Sequence, residues 1–84
     1  MHIGIHNYMT LADLKLEETA TIKDVSSHKI PLKLLEMGCL PGSTVKLLQI
    51  APLSDPMYLN INDTHLAIRK ETARHILIET TEHE

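Results

Sequence analysis

The cleanest pattern in the chain lies at 57–62, where Met57, Leu59 and Ile61 alternate with Tyr58, Asn60 and Asn62. That period of two predicts a half-buried strand with the odd-numbered side chains inward. Asn62-Asp63-Thr64 has turn composition, and Leu66 and Ile68 alternate with His65, Ala67 and Arg69 beyond it, so the pair reads as a β-hairpin. Upstream, 44–50 is strand-like, with Val45 and Leu47 on one face and Leu48 and Ile50 partly burying the other. The stretch 19–26 is rich in β-branched residues, and Ala20 and Ile22 face inward. The alternation then breaks at Asp24-Val25, which predicts a bulge and a sharp bend.

Between these strands the spacing of apolar residues changes. Ile30, Leu34 and Met37, with Leu35 beside them, form one side of a short helix, and Lys29, Lys33 and Glu36 face out. Ser27 or Lys29 opens this helix, and Pro31 is tolerated in its first turn, where N–H groups lack intrahelical partners. Gly38 ends it by taking a left-handed conformation, and Pro41-Gly42 supplies the residues of a type II turn. Thr10 with Asp13 resembles a capping box, opening a single turn in which Leu11 and Leu14 fall on one side as a peg into the core. Pro52 and Pro56 bracket a loop, 70–74 suits a helical turn, and 75–79 is a last short strand.

Strand, helix, three strands, short turn and strand, closely spaced and without a long crossover, predict a mostly β fold. The expected architecture is a small antiparallel barrel with one or two short helices, closed so that its edges are hidden. The domain is expected over 10–80, after a flexible lead-in at 1–9 and before an acidic tail at 81–84.

Composition narrows the function more than the fold. With 84 residues and neither Phe nor Trp, the core must be built from Leu, Ile, Val and Met, and aromatic-platform functions are disfavoured. A net charge of −3 with scattered Lys and Arg gives no footprint for nucleic acid or an anionic membrane. No apolar stretch approaches a bilayer span and the first residues lack a signal-peptide pattern, so a cytoplasmic protein with no membrane insertion is expected. The single cysteine, Cys39, follows a helix C-terminus, whose dipole disfavours a thiolate. It reads as a small apolar filler.

Candidate chemistry is sparse. There is no glycine-rich phosphate loop, no paired-cysteine motif and no nucleophile with an evident base, so neither a catalytic residue nor a cofactor is assigned. Six histidines and many carboxylates raise the question of a transition-metal site. His2 and His6 are separated by Gly4, and His65 and His75 fall at solvent-facing strand positions, so no metal ligands are assigned. What remains is surface. Tyr58 lies off the inward face of its strand and Leu53 sits between two prolines, and exposed apolar groups on a rigid loop often mark a partner site.

Taken in order, Leu11-Ala12-Asp13-Leu14, Ala20-Thr21-Ile22, Leu34-Leu35-Glu36-Met37-Gly38-Cys39-Leu40-Pro41-Gly42, Ala51-Pro52-Leu53-Ser54-Asp55-Pro56 and Leu66-Ala67-Ile68-Arg69-Lys70 resemble the FeoA family, small cytosolic proteins of bacterial ferrous iron uptake. The match spans 11–79. The chain departs from the family pattern at Glu17-Glu18, at Ser54 and at Asn62-Asp63-Thr64, where glycines are common, which leaves those turns undetermined.

The resemblance implies an SH3-like barrel, no enzymatic activity, and action with FeoB, the membrane ferrous iron transporter with a cytosolic GTP-binding domain. The implied contact surface takes in helix 31–37 and loop 52–56, with Lys33, Glu36, Leu53, Asp55 and Tyr58 as partner-binding candidates, and leaves room for a homodimer. The alternative is a small transition-metal-binding or metal-sensing domain, since the barrel also resembles the carboxy-terminal domain of iron-dependent repressors of the DtxR type. An SH3-type binder of proline-rich peptides fits poorly, because such grooves are aromatic-lined and the chain has two tyrosines.

Overall fold

The computed structural model describes residues 9–26 and 28–80. The expected lead-in up to residue 8 with His2 and His6, Ser27 as a helix opening, and the tail with His83 lie outside the described residues. Six antiparallel strands form one sheet in the order β1-β6-β2-β3-β4-β5. They are β1 (Met9–Thr10), β2 (Thr19–Val25), β3 (Thr44–Ile50), β4 (Met57–Ile61), β5 (Thr64–Ile68) and β6 (Ile76–Thr80). A 3-10 turn at Leu11–Asp13 and two short α-helices, α1 (Leu32–Glu36) and α2 (Lys70–Ala73), complete the chain.

The sheet wraps one aliphatic cluster. Ala20 and Ile22 of β2, Val45 and Leu47 of β3, Met57, Leu59 and Ile61 of β4, Leu66 and Ile68 of β5, and Ile76 and Ile78 of β6 are all buried in it. The inward period of two holds along β4, and over 20–22 of β2 and 45–47 of β3. At Asp24 the β2–β6 register shifts, so the expected bulge is present. A second shift between Leu47 and Gln49 against β4 was not foreseen. Leu48 occupies that bulge, which turns it away from the regular alternation and leaves it half-buried on the outer side.

The ladder also takes in Met9, which pairs with Ile78 and extends β6 where the sequence suggested lead-in. Leu11 is fully buried and Leu14 nearly so, and the Asp13 carboxylate accepts hydrogen bonds from the Thr10 N–H at 3.0 Å and the Thr10 hydroxyl at 3.2 Å. The peg is thus fixed in place as it joins β1 to the core. Among the described residues the ladder does not join its two ends: β1 lies at one edge and β5 at the other.

Gly38, Pro41 and Gly42 connect α1 to β3. The Gly38 N–H donates to Leu35 O at 3.2 Å and the Cys39 N–H to Leu34 O at 3.0 Å, the paired bonds of a Schellman motif, with Gly38 at φ 108°. Gly42, at φ 95°, follows Pro41 in a turn closed by the Ser43 N–H to Leu40 O at 3.0 Å. The same turn docks on β2, because Ile22 O accepts from the Gly42 N–H at 2.7 Å and the Ile22 N–H donates to Ser43 O at 2.8 Å. Ser43 is then buried, and its hydroxyl donates to Gly38 O at 2.7 Å and accepts from Asn62 Nδ2 at 3.0 Å. The end of α1 is thereby tied to the β4–β5 turn.

The three departures from the glycine pattern fall where the backbone is left-handed. Glu17 has φ 68°, Ser54 70°, Asn62 50° and Asp63 67°. The Ile61↔Thr64 pairing leaves Asn62-Asp63 as a two-residue loop with both φ values positive, the geometry of a type I′ turn.

Candidate functional site

Two hollows flank β5. One, of about 440 Å³, lies between α1 and β5, with Pro31, Leu34 and Met37 on one wall and Leu66 and Ile68 on the other. The ionisable side chains that line it are Lys33, His65 and Arg69, and no carboxylate does. The second, of about 390 Å³, lies on the outer side of β3, β4 and β5 and is lined by Leu48, Gln49 and Tyr58. Leu66 lines both hollows, as do His65 and Ala67, so β5 is the ridge between them.

The sequence-predicted residues distribute around this ridge without forming one cluster. Lys33 is exposed on α1 and lines the first groove. Glu36 is exposed at the end of the same helix but does not line the groove. Tyr58 is 40% exposed on β4 and lines the second hollow.

Leu53, at 90% exposure, projects from the loop at 51–56 with nothing packed over it. Asp55 is committed to the chain itself: one carboxylate oxygen accepts from the Lys70 N–H at 2.9 Å, and the other lies 3.8 Å from Arg69 Nη1. The first bond satisfies a free N–H at the start of α2. The second joins the loop to the groove, because Arg69 lines it.

Sequence reasoning weighed His65 only as a metal ligand and gave Ala67 and Arg69 no binding role. They fall at the polar or small positions of an ordinary half-buried strand. Only the sheet order shows that, among the described residues, this strand has a neighbour on one side alone.

Among the described residues no group of three or more His, Cys, Asp or Glu stands close enough to hold a metal ion. Cys39 is fully buried, and desolvation raises its thiol pKa above the ordinary 9.0, which suits it to packing rather than to nucleophilic chemistry. Among the described residues no helix is long and apolar enough to cross a membrane. The arrangement offers an apolar groove with a cationic lining beside an open strand edge, and an exposed loop next to it. It is equipped to bind.

The FeoA domain family model matches residues 9–80. A protein of Porphyromonas gingivalis named as a fusion of Fe(2+) transport protein A with the Fe(2+) transporter FeoB is 38% identical over 72 residues, which cover 84% of this chain. The chain spans 8% of that protein's length. Among solved structures, the FeoA protein of Chlorobium tepidum superposes with a TM-score of 0.79 at 28% identity, covering 88% of this chain and 71% of that one. The zinc-complexed FeoA of Stenotrophomonas maltophilia, described as an SH3 domain protein, gives 0.72 at 25% identity, with coverages of 84% and 89%. The architecture described above, mostly β and antiparallel with two short α-helices, is thus an SH3-like one.

Proposed function

The chain belongs to the FeoA domain family, and from that premise we propose that it acts in the cytoplasm as an accessory module of ferrous iron uptake, binding the cytosolic part of a FeoB-type transporter. The observation that carries the reading is the fusion in Porphyromonas gingivalis, where a relative of this whole domain is continuous with the transporter. Tethering raises the effective concentration of two partners to the millimolar range without any new contact. Association that does not depend on a tether needs a docking surface.

The α1–β5 groove and the loop at 51–56 fit that role. The groove is apolar and lined by Lys33 and Arg69, and the loop presents Leu53 to solvent beside it. Family membership and the absence of a nucleophile–base arrangement in the sequence support a non-enzymatic function. The test is capture of the cognate transporter's soluble cytosolic domain by the immobilised chain. The wild-type chain is expected to retain it, and Leu53→Asp and Lys33→Glu to retain at least about fivefold less, the loss that follows from truncating or reversing one well-placed contact. Absence of capture by the wild-type chain would overturn the reading.

A further inference from the structure

We propose that β5 is a strand-addition site, and that its ligand is an extended peptide segment alternating acidic and apolar residues, laid in the groove between β5 and α1. The backbone carries the first part of the argument. In an antiparallel hairpin with a two-residue loop, hydrogen-bonded pairs alternate with non-bonded ones, starting from the bonded pair beside the turn. With Ile61↔Thr64 next to the loop, Leu59↔Leu66 and Met57↔Ile68 are bonded pairs, while Asn60↔His65 and Tyr58↔Ala67 are not. The N–H and C=O groups of His65 and Ala67 therefore point away from β4. Among the described residues no other backbone group pairs with them.

Edges of this kind are usually blunted by Pro, Lys, a bulge or an overlying loop. Thr64-His65-Leu66-Ala67-Ile68 contains neither Pro nor Lys, and its register with β4 is unbroken from Met57 to Ile61. Among the described residues, what lies beside the edge is the groove that separates it from α1. A strand residue occupies roughly 160 Å³, from a rise of ~3.4 Å, a strand spacing of ~4.8 Å and a layer thickness of ~10 Å. The 440 Å³ groove therefore admits about three such residues.

Side-chain chemistry selects the ligand. A segment paired with β5 would turn every second side chain to the inner side, against Leu34, Met37 and Leu66, and the intervening ones outward with His65. The inner positions call for apolar side chains. The ionisable groups lining the groove are Lys33, His65 and Arg69, all exposed, and no carboxylate lines it, in a chain whose net charge is −3. Arg69 is held at 3.8 Å from Asp55 with a side chain that is 73% exposed, so it remains available to a second anion. Acidic side chains on the segment complement that lining. Strand addition also needs no aromatic-lined groove, which the two tyrosines could not build.

The inference rests on the proposed function for which protein supplies the segment, but its test does not. The isotope-labelled chain is titrated with a blocked hexapeptide alternating glutamate and valine, and with its lysine–valine counterpart. Saturable binding of the first is expected, with slowed exchange of the His65 and Ala67 amides and an affinity at least about tenfold above that of the second. Ala67→Pro removes an N–H that the β4 ladder does not use, so it should keep the fold and lose about tenfold in affinity, whereas Ala67→Val should stay within about twofold. Lys33→Glu, off the strand, should reverse the preference between the two peptides.

The proposal is overturned if neither peptide saturates at millimolar concentration, if Ala67→Pro binds as the wild type does, or if the two amides are already protected by self-association through β5. Capture of the transporter domain without peptide binding would remove this mode and leave the function standing. Peptide binding without capture would do the reverse.

Discussion

At one end of the sheet β6 is covered by Met9–Thr10, and the turn that follows drives Leu11 into the core at zero exposure. At the other end β5 carries five residues that, among the described residues, are paired on one side only, with a groove where a further strand would lie. The two ends use similar apolar residues and differ in what covers them. At the β1 end two strand residues and one helical turn close the edge, and the buried area there serves stability. At the β5 end α1 stands off, and the backbone groups of the edge remain available. One small barrel thus combines a sealed edge with an open one, and the open one is where recognition is expected.

Substitutions should separate the two ends by size of effect. Leu11→Ala, at the sealed end, removes a fully buried side chain and is expected to cost about 2–5 kcal/mol in denaturant unfolding, a large part of the stability of a domain this size. Ala67→Val, exposed on β5, should change stability by no more than about 0.5 kcal/mol. Equal costs would erase the distinction.

A smaller effect probes what holds the groove's walls together. Ser43 bridges Gly38 O, at the end of α1, to Asn62 Nδ2, in the turn that begins β5. Ser43→Ala leaves that carbonyl and amide without this partner and should cost about 1–3 kcal/mol. It should also weaken capture of the transporter domain more than Leu11→Ala does at a temperature where both variants are folded.

The smallest expected change has the opposite sign. Asp63 occupies a left-handed position at φ 67°, where type I′ turns favour glycine, and Asp63→Gly should stabilise the chain by about 0.5–1 kcal/mol in the same unfolding measurement.

Where a local conformation had a residue suited to it, the sequence exposed it. Gly38 and Gly42 stand at positive φ, the 57–61 alternation became β4, and the interrupted alternation at Asp24 became a bulge. Legibility failed where the residue concealed the conformation. Glu17, Ser54, Asn62 and Asp63 take left-handed backbone without glycine; turn composition marked Asn62-Asp63 and the prolines marked the loop holding Ser54, but the positive φ at each position was not readable. Leu48 is half-buried as its apolar character suggested, but the bulge it occupies could not be read, since an apolar residue fits a regular strand as well.

Met9–Thr10 is too short to show a period, and its pairing depends on β6, more than sixty residues away. The site was least legible of all. Lys33 and Tyr58 were found as exposed residues, but that they flank one strand, and that this strand is an edge, follows from topology. Asp55, predicted to face a partner, also has an internal task, joining the loop at 51–56 to α2.

The most direct measurement is a chemical-shift map of the isotope-labelled chain titrated with the transporter's soluble cytosolic domain. The account predicts that the perturbed amides cluster on β5, α1 and the loop at 51–56, with His65 and Ala67 among the largest shifts and β1, β6 and the Leu11–Asp13 turn undisturbed. Perturbations centred on β1 and β6, or none at all at saturating domain, would contradict it.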